Sequence, residues 1–231
     1  MSLKIKSWRK ITKIAVGAVL GLLFLTFFVK VATFEDVYYR EKEGSERAEP
    51  PAKVEEEVEE EILNETVPTE EDKTEYVVAP ERPRYLTIEK LGIYKARVVP
   101  VTTNTSGEMG TPNNVFDVGW FDGSSLPGTG RTAIIDGHNG GPHVFGVFKE
   151  LPSLVEGDII EVERGDGEIF RYAVYDNEQI SLKEANRYMG IAMRSPKTGV
   201  ESLTLITCSG DWSLEQNTYL SRQFVRAVLV E

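Results

Sequence analysis

The stretch Leu203-Thr204-Leu205-Ile206-Thr207-Cys208-Ser209-Gly210 is an apolar, β-branched run that ends on a cysteine and a glycine. Runs of this length, rich in β-branched residues and bounded by turn formers, read as buried strands. Others of the same kind occupy 85–88, 96–99, 132–135, 158–162, 170–175 and 224–230, with Gly and Pro clustered between them. Many short strands separated by turn signals predict a closed or sandwiched all-β architecture rather than alternating βαβ units. Helices are expected to be few: a turn or two within 142–151, and one over 182–189 with Ser181 as its N-cap.

Cys208 is the chain's only cysteine, so it cannot form an internal disulfide and is free, paired with another molecule, or used in chemistry. Its expected place, where a strand opens into a Gly-containing loop, favours reaction. His138 ends the similar run 132–138, and Arg222 opens the last one, 223–230. A thiol attacks as thiolate, with an ordinary pKa of about 8.5 that neighbouring cations lower. Histidine holds or releases a proton near neutral pH, so it can serve an amine as general acid and base. Arginine does not deprotonate, and its use is to donate hydrogen bonds to a developing oxyanion or to hold a substrate backbone. The three residues together describe acyl transfer through a thioester.

The pattern Thr204-Leu205-Ile206-Thr207-Cys208, with His138 after an earlier strand and Arg222 at the start of the next, resembles the sortases, cysteine transpeptidases of the bacterial cell surface. The likeness runs from about residue 85 to the C-terminus, through Val118-Gly119-Trp120-Phe121, Gly137-His138, Val144-Phe145, Leu151, Leu154 and Gly157-Asp158, and looks closest to the class F-like branch. It implies an eight-stranded β-barrel with one or two short helices and a catalytic set of His138, Cys208 and Arg222. The implied donor is a secreted protein with a C-terminal Leu-Pro-x-Thr-Gly-like sorting signal, cut between Thr and Gly. The implied acceptor is an amine of the cell-wall precursor or of a pilin lysine, and the segment 176–202 would form a wall of the substrate groove.

Other residues compete for these roles. His143 lies five residues past His138, but it follows Pro142 rather than ending a strand, and a surface or capping role is expected for it. Arg226 faces the same side of a strand as Arg222, so position beside the loop end is what favours Arg222. Thr207, adjacent to Cys208, and Trp212, four residues after it, are candidates to touch substrate, whereas Trp120 reads as a core aromatic. Asp136, His138 and His143 lack a further ligand cluster with zinc-like spacing, and no compact acidic loop with the alternating ligands of a calcium site is evident. No metal and no cofactor is expected.

Charge divides the 231 residues unevenly: 1–34 contribute +6, 35–80 contribute −12 and the remainder −5 to a net −11. No basic face exists for phosphate neutralisation, which argues against nucleic-acid binding. Residues 1–13 form a basic tail, and 14–34 are apolar apart from Lys30. Some 20 such residues span about 30 Å as a helix, the thickness of bilayer hydrocarbon. Positive charge before the span predicts a single-pass plasma-membrane anchor, N-terminus cytoplasmic and catalytic domain outside. No small-x-small cleavage site follows, unlike a signal peptide. Residues 35–80, rich in Glu and punctuated by Pro, read as a disordered acidic stalk with a short helix possible near 53–63, and 81–231 as the catalytic domain.

Two further readings bear on function. The loop Leu126-Pro127-Gly128-Thr129-Gly130 spells the sorting signal itself, but it precedes a core strand instead of an apolar tail, and its residues are ordinary turn formers. The L,D-transpeptidases carry a histidine and glycine close before their cysteine, where this chain has Leu205-Ile206-Thr207. A non-enzymatic surface domain that binds a partner would explain anchor, stalk and strands, yet leaves the placement of the three reactive side chains to chance.

Overall fold

In the computed structural model the described residues are 63–104 and 107–230. The predicted basic tail, membrane span and first part of the stalk, with its possible helix, lie outside them. Among the described residues no helix is long and apolar enough to cross a membrane.

Eight strands close into a barrel: β1 (Pro83–Ile88), β2 (Ile93–Val101), β3 (Val118–Phe121), β4 (Thr132–Gly137), β5 (Ile159–Arg164), β6 (Ile169–Ser181), β7 (Ser202–Ser213) and β8 (Thr218–Leu229). Around the barrel the order is β1-β2-β3-β4-β7-β8-β6-β5, and β5 pairs back to β1. The β2–β3 and β4–β7 pairs are parallel and the others antiparallel. Parallel neighbours need a crossover, and the one from β4 to β7 carries β5, β6 and the helix α2 (Leu182–Ala192).

Alternation along the strands builds two apolar layers. Inward-facing Ala133, Ile135, Leu203, Leu205 and Val225 join Phe148 and Tyr172 in the barrel core. Burying each large side chain there contributes about 1.5–3 kcal/mol. Outward-facing Ile134, Ile206 and Phe224 are covered by Ala185 and Ala192 of α2, and the Tyr188 and Phe224 rings stand 4.8 Å apart. Within 176–202 the end of β6 continues the sheet beside β8, and α2 covers part of the outer face of β7 and β8.

Several expectations are corrected. The strand β3 was not anticipated as one, because it is only four residues long and Gly119 interrupts its apolar pattern. The region 142–151 holds turns, and its one short helical element is the 3-10 turn Leu151–Ser153. Residues 63–80 are not a disordered stalk. Asn64 bridges to Asn114, and the helix α1 (Glu70–Glu75) is closed by a Thr69–Asp72 capping box. The Tyr76 hydroxyl donates to the Val98 carbonyl at 2.6 Å, and that of Tyr85 donates to the Lys73 carbonyl. Composition misled here because this arm is held by hydrogen bonds to the barrel more than by apolar burial. Its acids cap a helix and grip a loop instead of repelling one another.

The loop 126–130 sits at the start of β4, the end opposite His138. Gly128 and Gly130 N–H groups donate to the Glu201 carboxylate at 2.7 and 2.6 Å, and the buried Tyr172 hydroxyl donates to it at 2.7 Å. Its resemblance to a sorting signal is thus absorbed by a structural tie. Glu201→Ala strips three donors of their acceptor, one of them deep in the core. A loss of about 2–3 kcal/mol is expected, read as a lower urea midpoint with unchanged slope.

Candidate active site

Cys208 does not close its strand. The β7–β8 hairpin continues past it to Ser213 and Thr218, with an irregularity between Ser209 and Trp212. The sequence suggested an end because Gly210 lies there, but Gly210 has φ +77 and bends the hairpin without ending it. Arg222 likewise lies within β8. In the ladder the two residues stand directly opposite each other, which puts their side chains on one face with Cβ atoms about 5 Å apart. That face is the outer one, next to the patch covered by α2.

His138 immediately follows β4, and backbone ties on either side of it lock it to β7. The Thr207 hydroxyl donates to the Gly137 carbonyl at 2.8 Å, and Asn139 Nδ2 donates to the Cys208 carbonyl at 2.9 Å. The His138 carbonyl accepts from the Phe148 N–H at 3.0 Å. The imidazole Nε2 lies 2.7 Å from the Pro112 carbonyl. A carbonyl only accepts, so Nε2 carries the hydrogen and Nδ1 is the nitrogen left for proton exchange.

Arg222 donates from Nη1 to the carbonyls of Tyr219 and Ser221, both at 3.0 Å, and from Nη2 to Thr218 Oγ1 at 3.4 Å. These bonds fix the guanidinium over the hairpin while leaving Nε–H and one Nη2–H to meet an oxyanion. Burial pushes the Cys208 thiol up from its ordinary value, the Arg222 guanidinium draws it down, and the Asp136 carboxyl adds a further upward push.

The structure separates the competing candidates. Arg226 is committed to a paired hydrogen bond with Asp176 on β6, whereas Arg222 faces the thiol. His143, with its side chain 82% exposed, is tied through Nδ1 to the Glu65 carboxylate at 2.9 Å. Hydrogen bonding from the His143 backbone N–H leads the causes that lower the Glu65 carboxyl. Thr207 is not brought to the groove: only 3% exposed, it lies on the face opposite Cys208, and its hydroxyl is spent on Gly137. Its part is to position the His138 segment. Trp212 is half-exposed beyond the bulge, edge-on to Tyr219 at 5.1 Å, and Trp120 is buried. Among the described residues no cluster of three or more His, Cys, Asp or Glu is placed to hold a metal ion.

Sequence reasoning missed Asn139, whose amide signals nothing by composition. It considered Asp136 only as a metal ligand. The i, i+2 spacing of Asp136 and His138 on one strand face was the available signal.

A family model of the sortase domain matches residues 86–230. No curated protein matches the chain. Among solved structures, the chain is similar to sortase A from Corynebacterium diphtheriae, at 25% identity over 65% of this chain and 62% of that one, with a TM-score of 0.47. It is also similar to sortase C of Streptococcus pneumoniae, at 20% identity over 73% and 75%, TM-score 0.49. A third is a Clostridium perfringens sortase D5 transpeptidase, at 19% identity over 71% and 89%, TM-score 0.46. The chain spans less than two thirds of the length of the first of these.

Because Arg222 is the group that draws the thiol down, Arg222→Gln is expected to raise it further. Alkylation of Cys208 by iodoacetamide at neutral pH should then slow about three- to tenfold, the thiolate lost in half to one pKa unit. An unchanged rate would show that the guanidinium does not act on the sulfur.

Proposed function

The chain belongs to the sortase family, and from that premise we propose that it is a transpeptidase that cuts a Leu-Pro-x-Thr-Gly-like sorting signal and joins the acyl fragment to a cell-wall or pilin amine. The observation that carries this reading is the direct opposition of Cys208 and Arg222 in the β7–β8 ladder, with the segment of His138 tied to Cys208 from the adjoining strand.

In the proposed cycle the Cys208 thiolate attacks the carbonyl carbon of the Thr–Gly bond, and the resulting oxyanion takes the free N–H groups of Arg222. Collapse breaks the carbon–nitrogen bond, and the departing amine receives a proton from protonated His138 through Nδ1. A thioester remains. The acceptor amine then gives a proton to His138, attacks the thioester carbonyl, and expels the thiolate. Half-exposed Trp212 supports a substrate-lining role on the hairpin flank. Residues 14–34 would anchor the chain in the plasma membrane as a single span with a cytoplasmic N-terminus. The acidic segment that follows, up to the ordered arm, would hold the barrel away from the anionic surface.

Incubating the full chain with a panel of sorting-signal peptides and an amine is expected to give a thioester adduct by mass and then the amide product. Cys208→Ala should abolish both. His138→Ala should lower turnover by 100-fold or more, on the order expected for loss of a general acid–base group, while His143→Ala stays within about twofold. No adduct with any peptide, or equal losses from both histidine variants, would overturn the reading.

A further inference from the structure

The mechanism leaves one buried ionisable side chain in the site unused. Asp136 is 4% exposed, and its Oδ1 has no hydrogen-bond partner. On β4 it alternates with core-facing Ile135, so it shares the outer face with Ile134. Its partner across the parallel ladder is Ile206. Cys208 is the next residue on that face of β7. Strands spaced about 4.8 Å apart, with a two-residue offset, bring the backbone positions of Asp136 and Cys208 to about 8 Å.

The surroundings of this carboxyl do nothing to hold a charge. It lies over Gly119 of β3, where a Cβ would stand far inside van der Waals contact with Oδ1, and Val101 and Pro112 close the same space. None of these titrates. Of the titratable or charged groups on the elements around it, those that share its face at this end of the sheet are His138 on its own segment, Cys208 on β7 and Arg222 on β8, with Arg222 aligned with Cys208, while Arg226, farther along β8, is paired with Asp176. Burial pushes the carboxyl well above its ordinary range, and only its own backbone N–H opposes that.

We propose that Asp136 is a positioning residue that acts through the thiol: its carboxyl and Cys208 compete for a single negative charge on the outer face of the β4–β7 seam, so that ionising one opposes ionising the other. The thiolate then forms most readily while Asp136 is protonated, and once Asp136 is charged the thiol ionises only at a higher pH. The functional meaning rests on Cys208 being the nucleophile. The coupling itself is read without any peptide, so the two can fail separately.

The test titrates both groups in the full chain. Iodoacetamide alkylation against pH follows Cys208. The infrared absorption of a protonated carboxyl, assigned by its loss in Asp136→Asn, follows Asp136. In a coupled pair the group that ionises second carries the shift. Either Asp136→Asn lowers the Cys208 midpoint by about one unit, or Cys208→Ala lowers the Asp136 midpoint by about the same amount. Asp136→Ser replaces the asparagine variant should that fail to fold. If neither midpoint moves, or if no protonated carboxyl assignable to Asp136 is seen at neutral pH, the proposal is overturned.

Discussion

The site depends on the seam between β4 and β7. These strands are far apart in sequence and parallel, so nothing local brings them together, and their side chains would be free to slip by a residue if only backbone hydrogen bonds held them. Two side-chain ties prevent this at the point that matters: Thr207 holds the carbonyl before His138, and Asn139 holds the carbonyl of Cys208. The imidazole and the sulfur are thus referenced to the same few backbone atoms. The antiparallel β7–β8 hairpin then adds Arg222 by register alone.

Electrostatically the seam is a compromise. Covering Ile134, Ile206 and Phe224 with α2 makes the neighbourhood of the thiol apolar, which disfavours a thiolate. A single guanidinium offsets this, and it is itself held by three acceptors of the hairpin instead of by an acid. Had Arg222 been paired as Arg226 is with Asp176, its positive charge would have been largely cancelled before it reached the sulfur. The difference between these two arginines, four residues apart on one strand, is the difference between a structural pair and a group with charge to spare.

Much of this was legible in the chain. Apolar runs with turn punctuation located seven of the eight strands, and Cys208, His138 and Arg222 were picked out by where they stood relative to those runs. What stayed hidden has physical causes. Strand ends were misjudged at Cys208 because glycine both ends strands and bulges them, and only pairing distinguishes the two. The arm 63–80 looked like a stalk because its fastenings are hydrogen bonds of scattered polar groups such as Asn64, Glu65 and Tyr76, which leave no periodic trace. Thr207 stood beside the cysteine in sequence, but a strand turns neighbours to opposite faces, so adjacency pointed the wrong way.

Closure of the barrel has a bearing on how an extended peptide can be held. With β5 paired back to β1, the ring has no open seam, and strand edges are left where one strand overruns its neighbour: β7 continues to Ser213, past Ile206, the last residue that pairs with β4. A visiting chain that adds as a strand is limited to such overhangs. The overhang of β7 starts at Thr207, so a ring without an open seam still leaves strand edge beside the sulfur.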